Sequence, residues 1–176
     1  KFGIGCDQLI LLESIKGADC KMIIYNQDGS KAGACGNATR CVSKIIGKEY
    51  SKIRIGDRTI ETTYFSDSKI SVNMGKPIAE PTKLKFKDVE GYFVDIGNPH
   101  LIFFVEDFNF DISDVGPHFE RHKKFPNGVN VNFAKIVSDS KIELIVWERG
   151  AGETLGCGSG ACATQYTANF YELTKS

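Results

Sequence analysis

The sequence predicts an α/β protein of the α+β type, built from two pseudo-symmetric halves. Residues 22–37 and 144–159 match in one register, so that Cys35 falls on Cys157, an offset of 122. Each segment also passes from an apolar strand pattern through glycines to a Cys-Gly pair and a helix pattern. Because there are two copies at a domain-sized spacing, we interpret them as related halves, residues 1–74 and 75–176, and not as a solenoid.

The first half gives its elements in a simple order. Residues 21–25 are apolar and β-branched enough for a buried strand, and Asp-Gly-Ser at 28–30 predicts a turn. A helix follows, because apolar residues recur at i, i+3, i+4, i+7 and i+8: Ala38, Cys41, Val42, Ile45 and Ile46. Asn37 is a suitable N-cap, and Gly47 can end the helix. Cys41 is therefore expected on the buried face.

The second half repeats this plan. Residues 142–147 predict a buried strand, and Gly-Ala-Gly at 150–152 predicts the turn after it. A helix is predicted from about Gly160 onward, with Ser159 as its N-cap. Its apolar positions are Cys162, Tyr166, Phe170 and Leu173, so Cys162 is also expected to pack in the core. The same offset places Asn26 on Glu148 and Gln8 on Asn130.

Composition excludes several classes of protein. The 22 lysines and arginines balance 22 acidic residues, so the chain lacks the basic surplus of a nucleic-acid binder. Its 41% hydrophobic share is ordinary for a globular protein. No apolar run approaches the roughly 18 residues that a membrane span needs. We therefore expect neither a nucleic-acid partner nor a membrane partner.

The six cysteines allow several interpretations. An even number can indicate a disulfide framework, but that pattern belongs to short secreted domains. The close pairs Cys35/Cys41 and Cys157/Cys162 lack the spacing of a zinc knuckle, so we expect no metal. Cys6 and Cys20 belong to no motif. His118 and His122 lie in a charged stretch that we interpret as a solvated face.

Cys35 and Cys157 stand apart because each begins a predicted helix beside a glycine. Free N–H groups and the helix dipole favour an anion at that position, so a thiol there has a lowered pKa and can act as a base. Two such thiols from related halves would face each other across a cleft and serve opposite sides of one carbon. That arrangement suits inversion of a stereocentre. The alternative is that both are small helix-capping residues.

Seven segments resemble the diaminopimelate epimerase family, and they run in family order across nearly the whole chain. They are FGIGCDQ (2–8), YNQDGS (25–30), ACGNATRC (34–41), VNMGKP (72–77), GNPH (97–100), FPNGVNVNF (125–133) and WERGAGETLGCGSGAC (147–162). The resemblance implies a curved, mostly antiparallel sheet around a central helix in each half. It implies cofactor-independent interconversion of LL- and meso-diaminopimelate in the cytoplasm, for lysine and peptidoglycan precursors. The expected partner is then the small-molecule substrate, and assembly into a homodimer is left undecided.

The resemblance also implies roles for particular residues. Cys35 and Cys157 would be the acid/base thiols, Glu148 would assist them, and His100 would tune the site. Gln8, Asn26, Asn98 and Asn130 would hydrogen-bond the substrate, and Glu148 with Arg149 would bind its reacting end. The backbone N–H groups of Gly36, Asn37, Gly158 and Ser159 would receive the reacting carboxylate. Without the resemblance, Arg149 could equally well form a surface ion pair. Glu148 would then be interpreted as a solvated charge, and His100 as a turn histidine whose hydrogen bonds are satisfied.

The sequence departs from the family pattern at both ends and in one loop region. The family's N-terminal strand, its Gly-Asn-Asp-Phe-like segment and its last strands are not found, so we expect a chain truncated at both ends. The stretch between ACGN and GNPH is short, and Ala38 replaces a usual glycine. Two rivals remain: a proline racemase-like enzyme with the same two-thiol logic, and a thiol-regulated binding module.

Overall fold

The computed structural model describes residues 5–6 and 8–175. Phe2, the start of the first resembling segment, lies outside the described residues. The chain divides into two compact units, one ending at Gly75 and the other beginning at Lys76. None of the described helices is both long enough and apolar enough to cross a membrane.

Among its described residues, the first unit forms a six-stranded sheet and one helix. In chain order its elements are β1 (Gln8–Glu13), β2 (Cys20–Asn26), β3 (Lys31–Ala32), α1 (Gly36–Ile46), β4 (Tyr50–Ile55), β5 (Arg58–Ser66) and β6 (Lys69–Asn73). The strand order is β1-β2-β4-β5-β6, with β3 paired to β2. Only β2 and β4 pair in parallel, on either side of α1 in the sequence. The expected strand at 21–25 is confirmed.

Helix α1 packs with a face that partly matches the predicted one: Val42 is buried, and Ala38 and Ile46 pack against the core. Its buried residues are Thr39, Val42 and Ser43, whereas Cys41 is exposed and Ile45 is 73% exposed. The burial of two hydroxyl residues is possible because both are hydrogen-bonded: Thr39 donates to the Cys35 carbonyl, and Thr62 donates to Ser43 at 2.8 Å. The expectation that Cys41 packs in the core was therefore wrong.

The second unit is a six-stranded sheet with two helices. Its elements are β7 (Thr82–Phe86), β8 (Val89–Asp95), β9 (Pro99–Phe104), α2 (Ile112–Glu120), β10 (Asn130–Ser138), β11 (Lys141–Glu148), β12 (Gly152–Thr154) and α3 (Gly158–Phe170). The strand order is β12-β11-β10-β9-β8-β7, and only β9 and β10 pair in parallel. The predicted α+β class with mostly antiparallel sheets is confirmed in both units.

The central strands β9 and β10 of the second unit are buried on both faces, and alternation decides which face each side chain joins. Leu101, Phe103, Val131 and Phe133 point to the α2 side, where they form an aromatic-rich core. Ile102 and Ala134 point to the α3 side and pack with Ala163. The intervening polar residues His100, Asn130 and Asn132 and the strand-end Glu148 belong by alternation to the α3 side. The sheet thus brings four polar side chains toward the start of α3.

The internal repeat is visible in the structure. At the offset of 122, β1, β2, β3 and α1 fall on β10, β11, β12 and α3, and the two hairpins share a register. Leu9 pairs with Tyr25 in the first unit, and Val131 pairs with Trp147 in the second. The prediction of two pseudo-symmetric halves is therefore confirmed at the level of strand pairing.

Both predicted N-caps were wrong by two residues. Cys35 and Cys157 are themselves the capping residues, with extended backbone and a sulfur that accepts a backbone N–H. Asn37 and Ser159 therefore lie inside the first turn. Cys162 is exposed and Phe170 is 42% exposed, because α3 packs through its small residues Ala163, Thr164, Thr167 and Ala168. The expected burial of Cys162 was also wrong.

Candidate active site

The Cys35 terminus is formed by the first turn of α1. The sulfur of Cys35 accepts a hydrogen bond from the backbone N–H of Ala38 at 3.4 Å. Its carbonyl accepts from both the N–H and the hydroxyl of Thr39. Cys35 is half-buried, so the thiol is held by the helix and still reaches the surface. Asn37 turns outward and accepts from Arg40 at 2.7 Å.

Two amides predicted to bind substrate meet at one end of the first sheet. Gln8 and Asn26 are register partners on β1 and β2, and the Gln8 amide donates to the Asn26 oxygen at 3.0 Å. Asn26 in turn donates to the Ser30 hydroxyl at 3.1 Å. Asp28 accepts from the Ser30 hydroxyl and N–H, which closes the turn as the sequence predicted. These neutral groups form a preorganised amide pair.

The Cys157 terminus has the same backbone geometry but lies deeper. The sulfur of Cys157 accepts from the backbone N–H of Gly160 at 3.4 Å, and the residue is 9% exposed. It also lies 3.3 Å from the Ser159 hydroxyl. That hydroxyl is approached by the Asn98 amide nitrogen at 3.1 Å and by His100 Nε2 at 3.0 Å. Four predicted site residues therefore share one hydrogen-bonded cluster.

Asn132 determines which groups donate and which accept in the hydrogen bonds of this cluster. Its Nδ2 lies 3.0 Å from His100 Nδ1 and also approaches the Leu101 and Asn130 carbonyls at 3.3 and 3.4 Å. Because carbonyl oxygens only accept, the amide nitrogen must face them, and it therefore donates to His100 Nδ1. We assign the remaining ring proton to Nε2, which donates to Ser159. With Asn98 donating as well, the hydroxyl proton of Ser159 is directed to Cys157.

The burial of this cluster shifts two pKa values. Desolvation, together with the positive charge of Arg149, lowers the pKa of His100 to about 4. Desolvation also raises the pKa of Cys157 to about 11, with the Glu148 carboxylate adding to the increase. Hydrogen bonds from Ser159 and Gly160 work in the other direction. His100 is therefore neutral and Cys157 carries its proton at neutral pH, so the lowered thiol pKa that the helix start predicted was wrong for Cys157.

Glu148 and Arg149 occupy the end of β11 and the turn after it. Thr154 on the neighbouring strand β12 donates to the Glu148 carboxylate at 2.6 Å. The backbone N–H of Arg149 donates to the Asn130 side chain at 3.0 Å, and its guanidinium donates to the Asn127 carbonyl at 3.1 Å. Asn130 also donates to the Pro99 carbonyl at 2.9 Å. Asn130 therefore joins the GNPH segment to the Glu148-Arg149 turn.

Some functional groups were not identified from the sequence. Asn132 and Thr154 read as ordinary strand residues, and only the alternation of β10 beside β9 would have indicated that Asn132 meets His100. A close approach also marks the site: a Cβ at Gly160 would lie 2.4 Å from the Asn132 amide oxygen, so this glycine admits the amide. Among the described residues, no three metal-ligating side chains come together. No disulfide joins any of the six cysteines, all of which lie among the described residues.

Comparison with known proteins identifies the family of this chain. The model of the family described as diaminopimelate epimerase matches residues 1–79 and 92–175. The diaminopimelate epimerase of Pelagibacter ubique is 37% identical over 98% of this chain and 72% of its own length. That of Rickettsia typhi is 45% identical over 92% of this chain and 66% of its own length. The chain thus spans about two thirds of these relatives.

Solved structures share the fold at lower identity. A probable proline racemase from Agrobacterium radiobacter superposes with a TM-score of 0.70 at 15% identity, covering 96% of this chain and 61% of its own. A hydroxyproline epimerase from Agrobacterium vitis gives a TM-score of 0.67 at 14% identity, with 96% and 60% coverage. At these identities the likeness concerns the fold alone.

Proposed function

Given that this chain belongs to the diaminopimelate epimerase family, we propose that it interconverts LL- and meso-diaminopimelate. One observation carries the mechanism: both repeated Cys-Gly positions hold their sulfur at a helix N-terminus, each on a backbone N–H at 3.4 Å. In the proposed reaction one thiolate removes the α-proton and becomes a thiol. The other thiol protonates the opposite face of the carbanion and becomes a thiolate, so that protons balance without a cofactor.

We assign the resting proton to Cys157 and the resting base to Cys35. The raised pKa of Cys157, about 11, supports a protonated thiol there. The Ser159 hydroxyl, oriented by His100 and Asn98, then stabilises the thiolate that forms when Cys157 gives up its proton. After turnover the roles are exchanged; the reverse reaction restores them directly, and a second forward turnover follows once Cys35 has lost its proton to solvent and Cys157 has regained one.

The remaining predicted site residues would bind the polar groups of the substrate. The backbone N–H groups of Gly36-Asn37 and Gly158-Ser159 lie in the first turns of α1 and α3, where an α-carboxylate is favoured. Arg149 offers a second carboxylate partner, and Glu148 can take the ammonium group. Gln8, Asn26, Asn98 and Asn130 supply neutral amides. Asn130 already uses one N–H and one lone pair inside the protein, which leaves one of each for substrate.

The compartment and the assembly state belong to the same proposal. A pair of catalytic thiols must stay reduced, and reducing conditions are those of the cytoplasm. We therefore place the reaction there. A homodimer remains a prediction, which sedimentation of the protein at micromolar concentration would test.

The decisive experiment follows the α-proton. We expect reduced protein, incubated with LL-diaminopimelate in heavy water, to form the meso isomer with deuterium at the inverted carbon. Chiral chromatography with mass spectrometry measures both events. L-proline and trans-4-hydroxy-L-proline, offered in parallel, test the racemase-like alternative, and we expect no exchange with either. Exchange with proline but not with diaminopimelate would overturn the proposal, and so would the absence of exchange with all three amino acids.

A further inference from the structure

Helix α2 ends in a buried carboxylate that the proposed reaction does not use. The buried residues of this helix are Ile112, Gly116 and Glu120, spaced four apart on one face. Glu120 is 8% exposed although it lies in the charged stretch that the sequence predicted to be a solvated face. A carboxylate is rarely buried without partners, because desolvation of its charge is costly. Its partners therefore indicate what it holds.

Each oxygen of Glu120 accepts one hydrogen bond from the segment that carries Glu148 and Arg149. The indole N–H of Trp147 donates to Oε2 at 2.7 Å, and the backbone N–H of Gly150 donates to Oε1 at 3.0 Å. These donors come directly before and directly after the Glu148-Arg149 pair. One carboxylate thus fixes both ends of the pair.

The packing around the two bonds leaves little room for another arrangement. A Cβ at Gly116 would lie 2.5 Å from the Trp147 ring, so the missing side chain lets the indole lie flat on α2. A Cβ at Gly128 would lie 2.9 Å from the Arg149 side chain. The carbonyl of Glu120 also accepts from the Val129 N–H at 3.2 Å, which joins the end of α2 to the start of β10.

We propose that Glu120 is a positioning residue for Glu148 and Arg149. It acts through Trp147 and Gly150, and it is not placed to touch the substrate. This inference rests on the proposed function, in which Glu148 and Arg149 bind the reacting end of an amino acid. Charge-assisted bonds from a rigid helix end would hold the two side chains in place before substrate arrives. Loss of these bonds should therefore weaken substrate binding more than folding.

The test uses Glu120→Gln and the fact that Trp147 is the only tryptophan. Glutamine keeps the shape, but its NH2 group must face one of the two donors, so one bond is lost. We expect the single indole N–H resonance in a 15N-labelled sample to move upfield and the amide resonances of Glu148, Arg149 and Gly150 to shift. We also expect KM for LL-diaminopimelate to rise at least fivefold, with kcat changing less than KM.

Glu143→Gln is the matched control. Glu143 lies on β11 like Trp147, but its side chain is 45% exposed and it pairs with Lys141 at the surface. We expect this variant to keep the indole resonance, the three amide resonances and the KM of the unchanged protein. If Glu120→Gln does not fold, Trp147→Phe removes one donor without adding another, and a KM rise of two- to fivefold is expected.

The outcomes separate this inference from the proposed function. If the unchanged protein does not epimerise diaminopimelate, the proposed function fails, whereas the shifts at Glu148 and Arg149 still support or overturn the positioning. If the protein is active and Glu120→Gln leaves KM within twofold, the positioning role is wrong. Unchanged amide resonances at Glu148 and Arg149 would contradict it equally, whatever the activity.

Discussion

The two helix starts that carry Cys35 and Cys157 share a backbone arrangement and differ in what surrounds it. Each sulfur caps its helix by accepting the N–H three residues on, at 3.4 Å in both units. Around Cys35 the equivalent polar positions are neutral: Asn26 bonds Gln8 and Ser30, and Asn37 faces Arg40 at the surface. Around Cys157 the corresponding positions are Glu148 and Ser159, and Ser159 contacts the sulfur.

This difference shows which part of the repeat is common to both units. Capping of a helix by a thiol needs only the strand, the turn and the Cys-Gly pair, and both units contain them. In the second unit, parallel pairing of β9 and β10 brings His100 beside Asn132. Related backbones thus support one half-buried thiol whose small cavity is also lined by Arg58, and one buried thiol with a nearby carboxylate.

The largest expected effect comes from removing either thiol. Cys35→Ala and Cys157→Ala should each lower kcat for inversion at least a thousandfold, about 4 kcal/mol in activation free energy, because each serves one face of the carbon. Turnover of LL-diaminopimelate to the meso isomer measures this loss. Cys41→Ala, at an exposed position on α1, is the control and should keep full turnover. Near-normal activity in either of the first two variants would contradict the two-base mechanism.

The next effect concerns how the free energy of unfolding depends on pH, which His100 of the second unit should control. The pKa of His100 is about 4 in the folded chain against about 6.5 when unfolded. Between these values the unfolded state binds a proton that the folded state does not, so stability falls as pH falls from about 6.5 toward 4. The full loss is about 3 kcal/mol by linkage.

Thermal unfolding between pH 7 and pH 4 checks this expectation. His100→Gln should flatten the curve, since it removes the buried group that resists protonation. His118→Gln replaces an exposed histidine on α2 and should leave the curve as it is. A slope that is identical in all three proteins would show that His100 does not govern acid sensitivity.

A smaller effect compares the equivalent positions Ser159 and Asn37. Ser159→Ala removes the hydroxyl that joins Asn98 and His100 to Cys157, which should lower kcat by about ten- to a hundredfold, as for a bond to a charged group. Asn37→Ala removes a surface contact with Arg40, and we expect a decrease of less than about threefold by the usual scale for exposed pairs. Steady-state kinetics of both variants measures the contrast. Equal losses would mean that the side chains at these positions do equivalent work.

The smallest effect concerns thiol reactivity. Because the Glu148 carboxylate helps to raise the pKa of Cys157, Glu148→Gln should lower that pKa and speed alkylation of Cys157 by iodoacetamide severalfold at pH 8. Peptide mapping by mass spectrometry follows each cysteine separately. Asn26→Asp places a carboxylate at the equivalent position of the first unit and should slow alkylation of Cys35. An unchanged Cys157 rate would rule out the contribution of Glu148.

Local patterns predicted much of this molecule because the repeat contains them twice. The strands at 21–25 and 142–147, the turn at 28–30 and the end of α1 at Gly47 follow from periodicity and turn chemistry alone. The buried faces of the helices followed only in part, since Ala38, Val42 and Ile46 pack in the core of the first unit as expected. Apolar residues such as Cys41 and Ile45 defined one face, but Thr39 and Ser43 could be buried instead because tertiary hydrogen bonds satisfy them.

The polar groups of the site were likewise only partly predictable from the sequence. Propensity favours Asn and Ser as N-caps, yet the thiols take that position, since the sulfur itself accepts the N–H. Glu120 reads as a surface charge in its own stretch, and only contact with Trp147 and Gly150, about 30 residues away, makes it a buried acceptor. Asn132 likewise gains its role from β9, which precedes α2 in the sequence.

The two backbone carbonyls that hold the Asn132 amide have a consequence for the operating range of the site. Amide hydrogens and peptide oxygens neither gain nor lose protons at any pH compatible with folding, so the orientation of the Asn132, His100 and Ser159 chain is fixed by groups that cannot titrate. Within this chain of three side chains, acidification can therefore protonate only the His100 ring. Above the His100 pKa of about 4, the Ser159 hydroxyl proton keeps pointing at the Cys157 sulfur. Cys157 therefore has the same hydrogen-bond neighbour at the start of every turnover.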